Sequence, residues 1–205
     1  MIGRILRGIG RRLGMFLYVV KARPLRTEKP ASRRDVDLRE VTAEEAMLAS
    51  TDAALDLPTD AVRDAFARGD TCLGAFDSEH LIGYAWFARG AVAHLDGVWI
   101  RFDASAIYIN KVFVRLESRG RHIAPDLYLF ADQLFRDRGC TSAVIAMEAT
   151  NHASIRAAER SGARTAGFAF YWNAGPLFMS FSTPGAKKIG FRFYRPTRPA
   201  STHLD

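Results

Sequence analysis

The residues of this 205-residue chain best placed to do chemistry lie together near its middle. A β-branched and aromatic stretch, Ala106-Ile-Tyr-Ile-Asn-Lys-Val-Phe-Val114, has strand composition. It is followed by Leu116-Glu-Ser-Arg-Gly-Arg-His-Ile-Ala124, rich in Arg and Gly. Ile123, Leu127, Phe130, Leu134 and Phe135 then mark one face of a helix that Gly139 stops. A strand that delivers a short loop straight into a helix start gathers free backbone N–H groups and a positive dipole end at one spot. That suits a pyrophosphate. No Gly-Lys-Ser/Thr follows, so the loop is not a P-loop, and its spacing is not the dinucleotide fingerprint.

The elements that must hold this loop read in order along the chain. Residues 36–41 alternate as a strand, and Thr42-Ala-Glu-Glu45 is a capping box that opens a helix. Residues 58–67 form a second helix, closed by Gly69. Strands follow at 71–76 and 81–89, joined by turn chemistry at 77–79, and then at 106–114. After the helix that begins at Ile123 come a continuous apolar strand at 141–147, a helix at 151–161 and two closing strands at 164–172 and 177–182. The order β-α-α-β-β-β-α-β-α-β-β predicts a mixed α/β fold of the α+β class. The expectation is a twisted, mostly antiparallel central sheet of about seven strands flanked by helices.

At these residues the chain resembles the GNAT superfamily of acyl-CoA N-acyltransferases. The family's CoA loop reads Arg/Gln-x-x-Gly-x-Gly/Ala. Arg119, Gly120, Arg121, His122, Ile123 and Ala124 fill it, with His122 in place of the middle glycine. The family's second motif is an Asn opening the next helix, which ends in Gly and an aromatic. Asn151 and Gly162 match, and Ala163 replaces the aromatic. The resemblance covers roughly residues 36–184. It implies that the pantetheine arm of acetyl-CoA or another acyl-CoA lies along main-chain groups of Val112, Phe113 and Val114. It implies a pyrophosphate on residues 119–124, and Asn151, helped by Ser154, reaching the pantetheine. His122 has two readings: a β-carbon that narrows the anion nest, or an imidazole that donates to a phosphate.

The resemblance also implies direct transfer from thioester to amine, with one group taking the amine proton and another protonating the thiolate. Many members use a Tyr in the second-motif helix as the acid and a Glu on the strand as base. Ala158 and Tyr108 stand at those positions. Tyr108 and Glu148 are therefore the expected proton-handling residues, with Glu117 and Tyr171 as further candidates. An aromatic set of Trp86, Phe87, Trp99, Phe168, Phe170, Tyr171 and Trp172 fits an acceptor with an apolar or ring-shaped part. The long segment 90–103 is read as its cover. For any single one of these aromatics, core packing is the default.

The charge is uneven. Residues 1–34 carry ten Lys/Arg and one acid, for +9 of a total of +7, which leaves the remainder at −2. That argues against a nucleic-acid-binding core and for an anionic surface met by the tail. Ile2, Ile5, Leu6, Ile9, Leu13, Phe16, Leu17 and Val20 recur at i, i+3, i+4 among arginines, the pattern of an amphipathic basic helix. Its charge-free run ends at Lys21, far short of the roughly 20 apolar residues of a membrane span. Binding to an anionic membrane surface, packing on the domain or a homodimer mate, and a targeting role all remain open for residues 2–20. Pro24 and Pro30 among basic residues mark a linker. The domains are expected at 1–34 (basic helix and linker), 35–184 (acyltransferase) and 185–205 (basic tail).

Cys72 and Cys140 lack metal-like spacing, as do the five histidines. No metal is expected, and reduced thiols favour a cytoplasmic setting, with a peripheral location on the inner membrane face as an extension. The expected function is transfer of an acyl group, acetyl first, to an amine of a small-molecule or lipid-linked acceptor. The alternatives are a CoA-binding module without turnover, for which Ala158 and His122 speak, and a nucleic-acid or ribosome-associated protein using its basic ends.

Overall fold

The computed structural model describes residues 13–30, 35–95 and 97–196. It is an α+β chain that divides into two compact units. Within the described residues, one unit holds 24–30, 35–89 and 107–143, and the other holds 13–23, 90–95, 97–106 and 144–196.

The loop-bearing unit contains four strands in the hydrogen-bonded order β7-β4-β3-β2. These are β2 (Asp37–Glu40), β3 (Thr71–Asp77), β4 (His80–Arg89) and β7 (Ala106–Val114), each antiparallel to its neighbour. Its helices are α1 (Ala43–Ala49), α2 (Thr59–Ala67) and α3 (Ile123–Asp137). The capping box forms as its residue types require: Thr42 Oγ1 accepts from Glu45 N–H at 3.2 Å, and a Glu45 carboxylate oxygen accepts from Thr42 N–H at 2.9 Å. β4 is buried along nearly its whole length, which is why it reads as a continuous apolar run and not as an alternation. Val41, Ala46, Leu55, Val62, Cys72, Tyr84 and Trp86 share one core cluster. Fully burying one of its larger apolar side chains contributes about 1.5–3 kcal/mol.

The other unit has strands in the order β10-β9-β1-β8, from β1 (Met15–Pro24), β8 (Ser142–Glu148), β9 (Arg164–Ala174) and β10 (Leu177–Ser182). The first two residues of β8, Ser142 and Ala143, belong to the loop-bearing unit. β9 is antiparallel to both β1 and β10. A smaller sheet, β11-β6-β5, is built from β5 (Ala91–Ala93), β6 (Trp99–Arg101) and β11 (Arg192–Tyr194). Helices α4 (His152–Arg160) and α5 (Pro184–Lys188) complete the unit. Its centre is aromatic: Tyr171, 1% exposed, stacks on Phe16 at 4.8 Å and meets Phe193 edge-on at 4.8 Å. The Tyr18 hydroxyl lies 2.7 Å from His94 Nε2 in the same cluster.

Several sequence readings change here. Met15–Val20 were expected in an amphipathic helix but form the first part of β1. Phe16, Tyr18, Val19 and Val20 are strand formers, and four consecutive buried residues from Tyr18 to Lys21 fit a strand covered on both faces. The rest of that expected helix, residues 2–12, lies outside the described residues. Gly14 immediately precedes the strand at φ +70°, where a Cβ would fall 2.1 Å from the Asn173 carbonyl oxygen, so only glycine fits. Lys21 is buried and satisfied by Glu159 at 3.0 Å and Thr165 at 2.9 Å, which ties the supposed linker into the unit. The expected C-terminal tail is likewise structured up to Tyr194, because Phe191 and Phe193 are buried and β11 pairs with β6. Residues 90–103, expected to cover an acceptor, supply β5 and β6 of the smaller sheet.

Candidate acyl-CoA site

The loop between β7 and α3 takes the conformation its residue types suggest. A short 3₁₀ turn, Leu116–Ser118, leads to Arg119 in extended backbone, then Gly120 at φ +82° and His122 at φ +58°, ψ +20°. Two left-handed residues flanking Arg121 curl the chain so that α3 begins at Ile123. A Cβ placed on Gly120 would meet nothing within 4 Å, so the loop is open on that side. The Asp126 N–H closes the first helical bond onto His122 C=O at 3.1 Å. Ile123 and Ala124 precede it and have no intrahelical acceptor, and Pro125 has no N–H to satisfy. Their amides, with those of the curled loop and the helix dipole, form an anion-receptive concavity on a 15-residue helix.

His122 thus occupies a left-handed position where the family motif has glycine. Its side chain is exposed and makes no capping bond. Arg119 is exposed, with Nε 3.4 Å from the Val114 carbonyl. Arg121 is engaged by carboxylates: Asp35 at 2.8 Å and Asp77 at 3.2 Å. Those acids hold its guanidinium above its ordinary pKa, first through the hydrogen bonds and then through their charge. Arg121 therefore fastens the loop to the start of the unit and to the β3–β4 turn. Among the described residues Arg119 forms no ion pair with a carboxylate.

Val112, Phe113 and Val114 pair with Ala85, Tyr84 and Gly83 of β4. The register slips between Trp86 and Phe87, so Lys111 and Ile109 have partners while the exposed Asn110 between them has none on β4. This bulge bends β7 just before the expected pantetheine segment, and bulges recur beside active sites. Sequence reasoning passed over Asn110. The signal was the polar pair Asn110-Lys111 inside an otherwise apolar strand. Lys111 is in turn anchored to Asp56, at 2.9 Å from the carboxylate. Tyr108, one of the two expected proton-handling residues, sits upstream of the bulge, opposite Ala88 and 4% exposed. Glu117, in the 3₁₀ turn, is exposed and 3.9 Å from Arg115.

The remaining expected residues belong to the other unit. Glu148 ends β8, half-buried, and its carbonyl accepts from Asn151 N–H at 2.8 Å. Asn151 caps α4, its Oδ1 accepting from Ser154 N–H at 3.2 Å, which leaves its amide NH₂ as a donor. Ala158, at the position where the family reading looked for a tyrosine acid, packs with Met147 and Ala163 in a small buried cluster. Tyr171 is buried among rings, whereas Phe168 is 46% exposed. Trp172 donates its indole N–H to Leu13 C=O at 2.8 Å. In the loop-bearing unit Trp86 and Phe87 are core. Three of the expected aromatics, Trp86, Phe87 and Tyr171, are therefore core, and the exposed Phe168 is not. Among the described residues no cluster of His, Cys, Asp or Glu could hold a metal, and no helix is long and apolar enough to cross a membrane.

Solved structures with the same fold include a GCN5-related N-acetyltransferase from Kribbella flavida, 14% identical with a TM-score of 0.50, over 91% of this chain and 66% of that one. A GCN5-related N-acetyltransferase from Sphaerobacter thermophilus is 15% identical with a TM-score of 0.50, over 95% and 57%. A functionally unknown conserved protein from Staphylococcus epidermidis is 14% identical with a TM-score of 0.51, over 81% and 65%. The chain therefore spans under two thirds of the length of these three structures. No curated protein matches the sequence. The profile of the acetyltransferase (GNAT) family matches residues 37–163, which run from β2 through the anion-receptive loop and α4 to the residue after Gly162. With more than half its length matched, the chain belongs to the GNAT acetyltransferase family.

Proposed function

We propose that this protein transfers an acyl group, acetyl in the first instance, from acyl-CoA to an amine of a small-molecule acceptor by direct attack in a ternary complex. The observation that carries the reading is the loop at 119–124: two left-handed residues lead into a helix start whose first amides, at Ile123 and Ala124, have no intrahelical acceptor, with exposed Arg119 beside them. In this reading the loop and Arg119 bind the pyrophosphate, and main-chain groups of Val112, Phe113 and Val114 orient the pantetheine. Asn151 and Ser154 keep the pantetheine role that the family motif gives them. A main-chain N–H near Val114 stabilises the developing oxyanion. Tyr108 and Glu148 hold or move protons, one taking the proton of the attacking amine and one returning a proton to the leaving thiolate. The lipid-linked acceptor loses part of its support, since Phe16, Leu17 and Val20 of the stripe that suggested membrane contact lie in β1.

The test is amine-dependent release of free thiol from acetyl-CoA across a panel of small primary amines. Release that needs both enzyme and amine, and that falls at least about tenfold in Tyr108→Phe or Glu148→Gln, is expected. Binding of acetyl-CoA with no amine-dependent release would favour a CoA-binding module without turnover.

A further inference from the structure

We propose a second anion site, on the smaller sheet, that takes a phosphate group attached to an apolar or ring-bearing molecule. A groove of about 520 Å³ opens between β10, α5 and the β6–β11 pair, wholly within one unit. Arg101, Lys187 and Arg192 line it, together with Ser182 and the ring of Phe181, and no acidic side chain does.

The arrangement of the two arginines is the informative feature. Arg101 on β6 and Arg192 on β11 are directly paired partners in an antiparallel ladder. Like charges set opposite each other destabilise a sheet, and β11 is only three residues long. Among the described residues no carboxylate forms an ion pair with Arg101, Arg192 or Lys187. Two of these cations face rings instead: Arg101 lies 5.2 Å from the centre of the Tyr194 ring, and Lys187 Nζ lies 5.4 Å from that of Phe181. Ser182 is 4% exposed and brings a hydroxyl to the wall, and Phe181, 58% exposed, gives the groove an apolar side. An anion bridging the two guanidiniums converts a repulsive pair into two charge-assisted contacts. The apolar side favours a ligand that carries more than the phosphate.

Most of the groove lies beyond the stretch matched to the family, while Arg101 on β6 lies inside it. β10, α5 and β11 all lie beyond residue 163, where the match to the family ends. The site is therefore separate in residues from the loop at 119–124 and does not rest on the acyltransferase reading.

The experiment uses the full chain and pyrophosphate as probe, by calorimetry and thermal unfolding at low salt. The groove substitutions Arg192→Glu and Arg101→Ser with Arg192→Ser are each made in an Arg119→Ala background, which weakens the separate pyrophosphate site of the loop at 119–124, and are compared with Arg119→Ala alone and with wild type. The first replaces repulsion by a cross-strand attraction between Arg101 and the introduced carboxylate. It is expected to unfold at a higher temperature than Arg119→Ala alone without ligand and to bind pyrophosphate at least about tenfold more weakly. The double serine variant should lose the same binding, and Arg119→Ala alone should keep it. A parallel arm measures co-sedimentation with phosphatidylcholine vesicles with and without phosphatidylinositol bisphosphate. Loss of pyrophosphate binding in the groove variants supports a soluble phosphorylated ligand. Loss of vesicle binding alone in those variants supports a lipid headgroup as its source. Pyrophosphate and vesicle binding that are absent in wild type, unchanged in the groove variants, or abolished by Arg119→Ala would overturn the proposal.

Discussion

His122 is the residue at which local strain and candidate function meet. A non-glycine residue in the left-handed region costs about 1–2 kcal/mol, while glycine there costs about 0.5–1 kcal/mol in lost chain freedom. His122→Gly should therefore raise the unfolding temperature by about 1–4 °C, read by calorimetry. If the imidazole donates to a phosphate, the same change should weaken acetyl-CoA binding about three- to tenfold, near the worth of one hydrogen bond. A more stable variant that binds acetyl-CoA more tightly would show that the Cβ only crowds the nest. Glu45 makes a second residue-scale prediction. The Arg39 guanidinium, 2.7 Å away, and the Thr42 N–H hold its carboxyl down to about 2, against an ordinary value of 4.5. A lowered carboxylate stabilises the fold fully above its unfolded pKa, and the contribution drains away as pH falls toward the folded one. Glu45→Gln keeps the capping geometry but loses the ion pair, which is partly exposed and so weak. It should be slightly less stable than wild type at pH 7, by under about 1 kcal/mol, with the difference closing between pH 4.5 and 2 in denaturant titrations.

At the scale of elements, β1 decides the extent of the folded unit. It lies between β9 and β8, with Tyr18, Val19 and Val20 buried and Lys21 joined to Glu159 and Thr165. Deleting residues 1–24 removes a partner strand from β9 and leaves Glu159 without its cation. The truncated chain should show no cooperative unfolding transition by circular dichroism. A sharp transition at the wild-type temperature would mean that β1 is an accessory. The sequence misled here because a short run such as Met15–Val20 satisfies helical spacing and strand composition at once. Only pairing with Phe168, Phe170 and Trp172 settles which period applies. The opposite holds from β2 to α4. There the capping box at Thr42, the glycine stops at Gly69 and Gly139 and the Asn151 cap are all local chemistry, so they were legible from residue types alone. The loop at 119–124 was legible for the same reason, whereas the bulge at Asn110 depends on the register with β4 and was not. The engagement of Arg121 depends on Asp35 and Asp77, 86 and 44 positions away, which no local pattern reveals.

For the whole molecule, the match at residues 37–163 and the elements outside it divide the roles. The matched part carries the loop at 119–124, and the flanking strands β1, β9, β10 and β11 carry aromatic packing and, with Arg101 of the matched β6, line the basic groove. The charge pattern takes on a different meaning in this light. Part of the N-terminal basicity is buried structure, since Lys21 and Arg23 are 2% and 5% exposed. Arg26 is likewise committed, to the fully buried Asp132 at 2.7 Å. Cations paired in this way are positioning devices and not a free surface for nucleic acid.

Calorimetric titration of acetyl-CoA decides whether the loop at 119–124 holds acyl-CoA. Wild type is expected to bind one equivalent, with affinity falling as salt rises because the contact is ionic. Arg119→Ala should bind about tenfold more weakly at an unchanged unfolding temperature, since Arg119 is exposed and makes one long contact. Absence of binding by wild type, or an affinity indifferent to Arg119→Ala and to salt, would contradict the account.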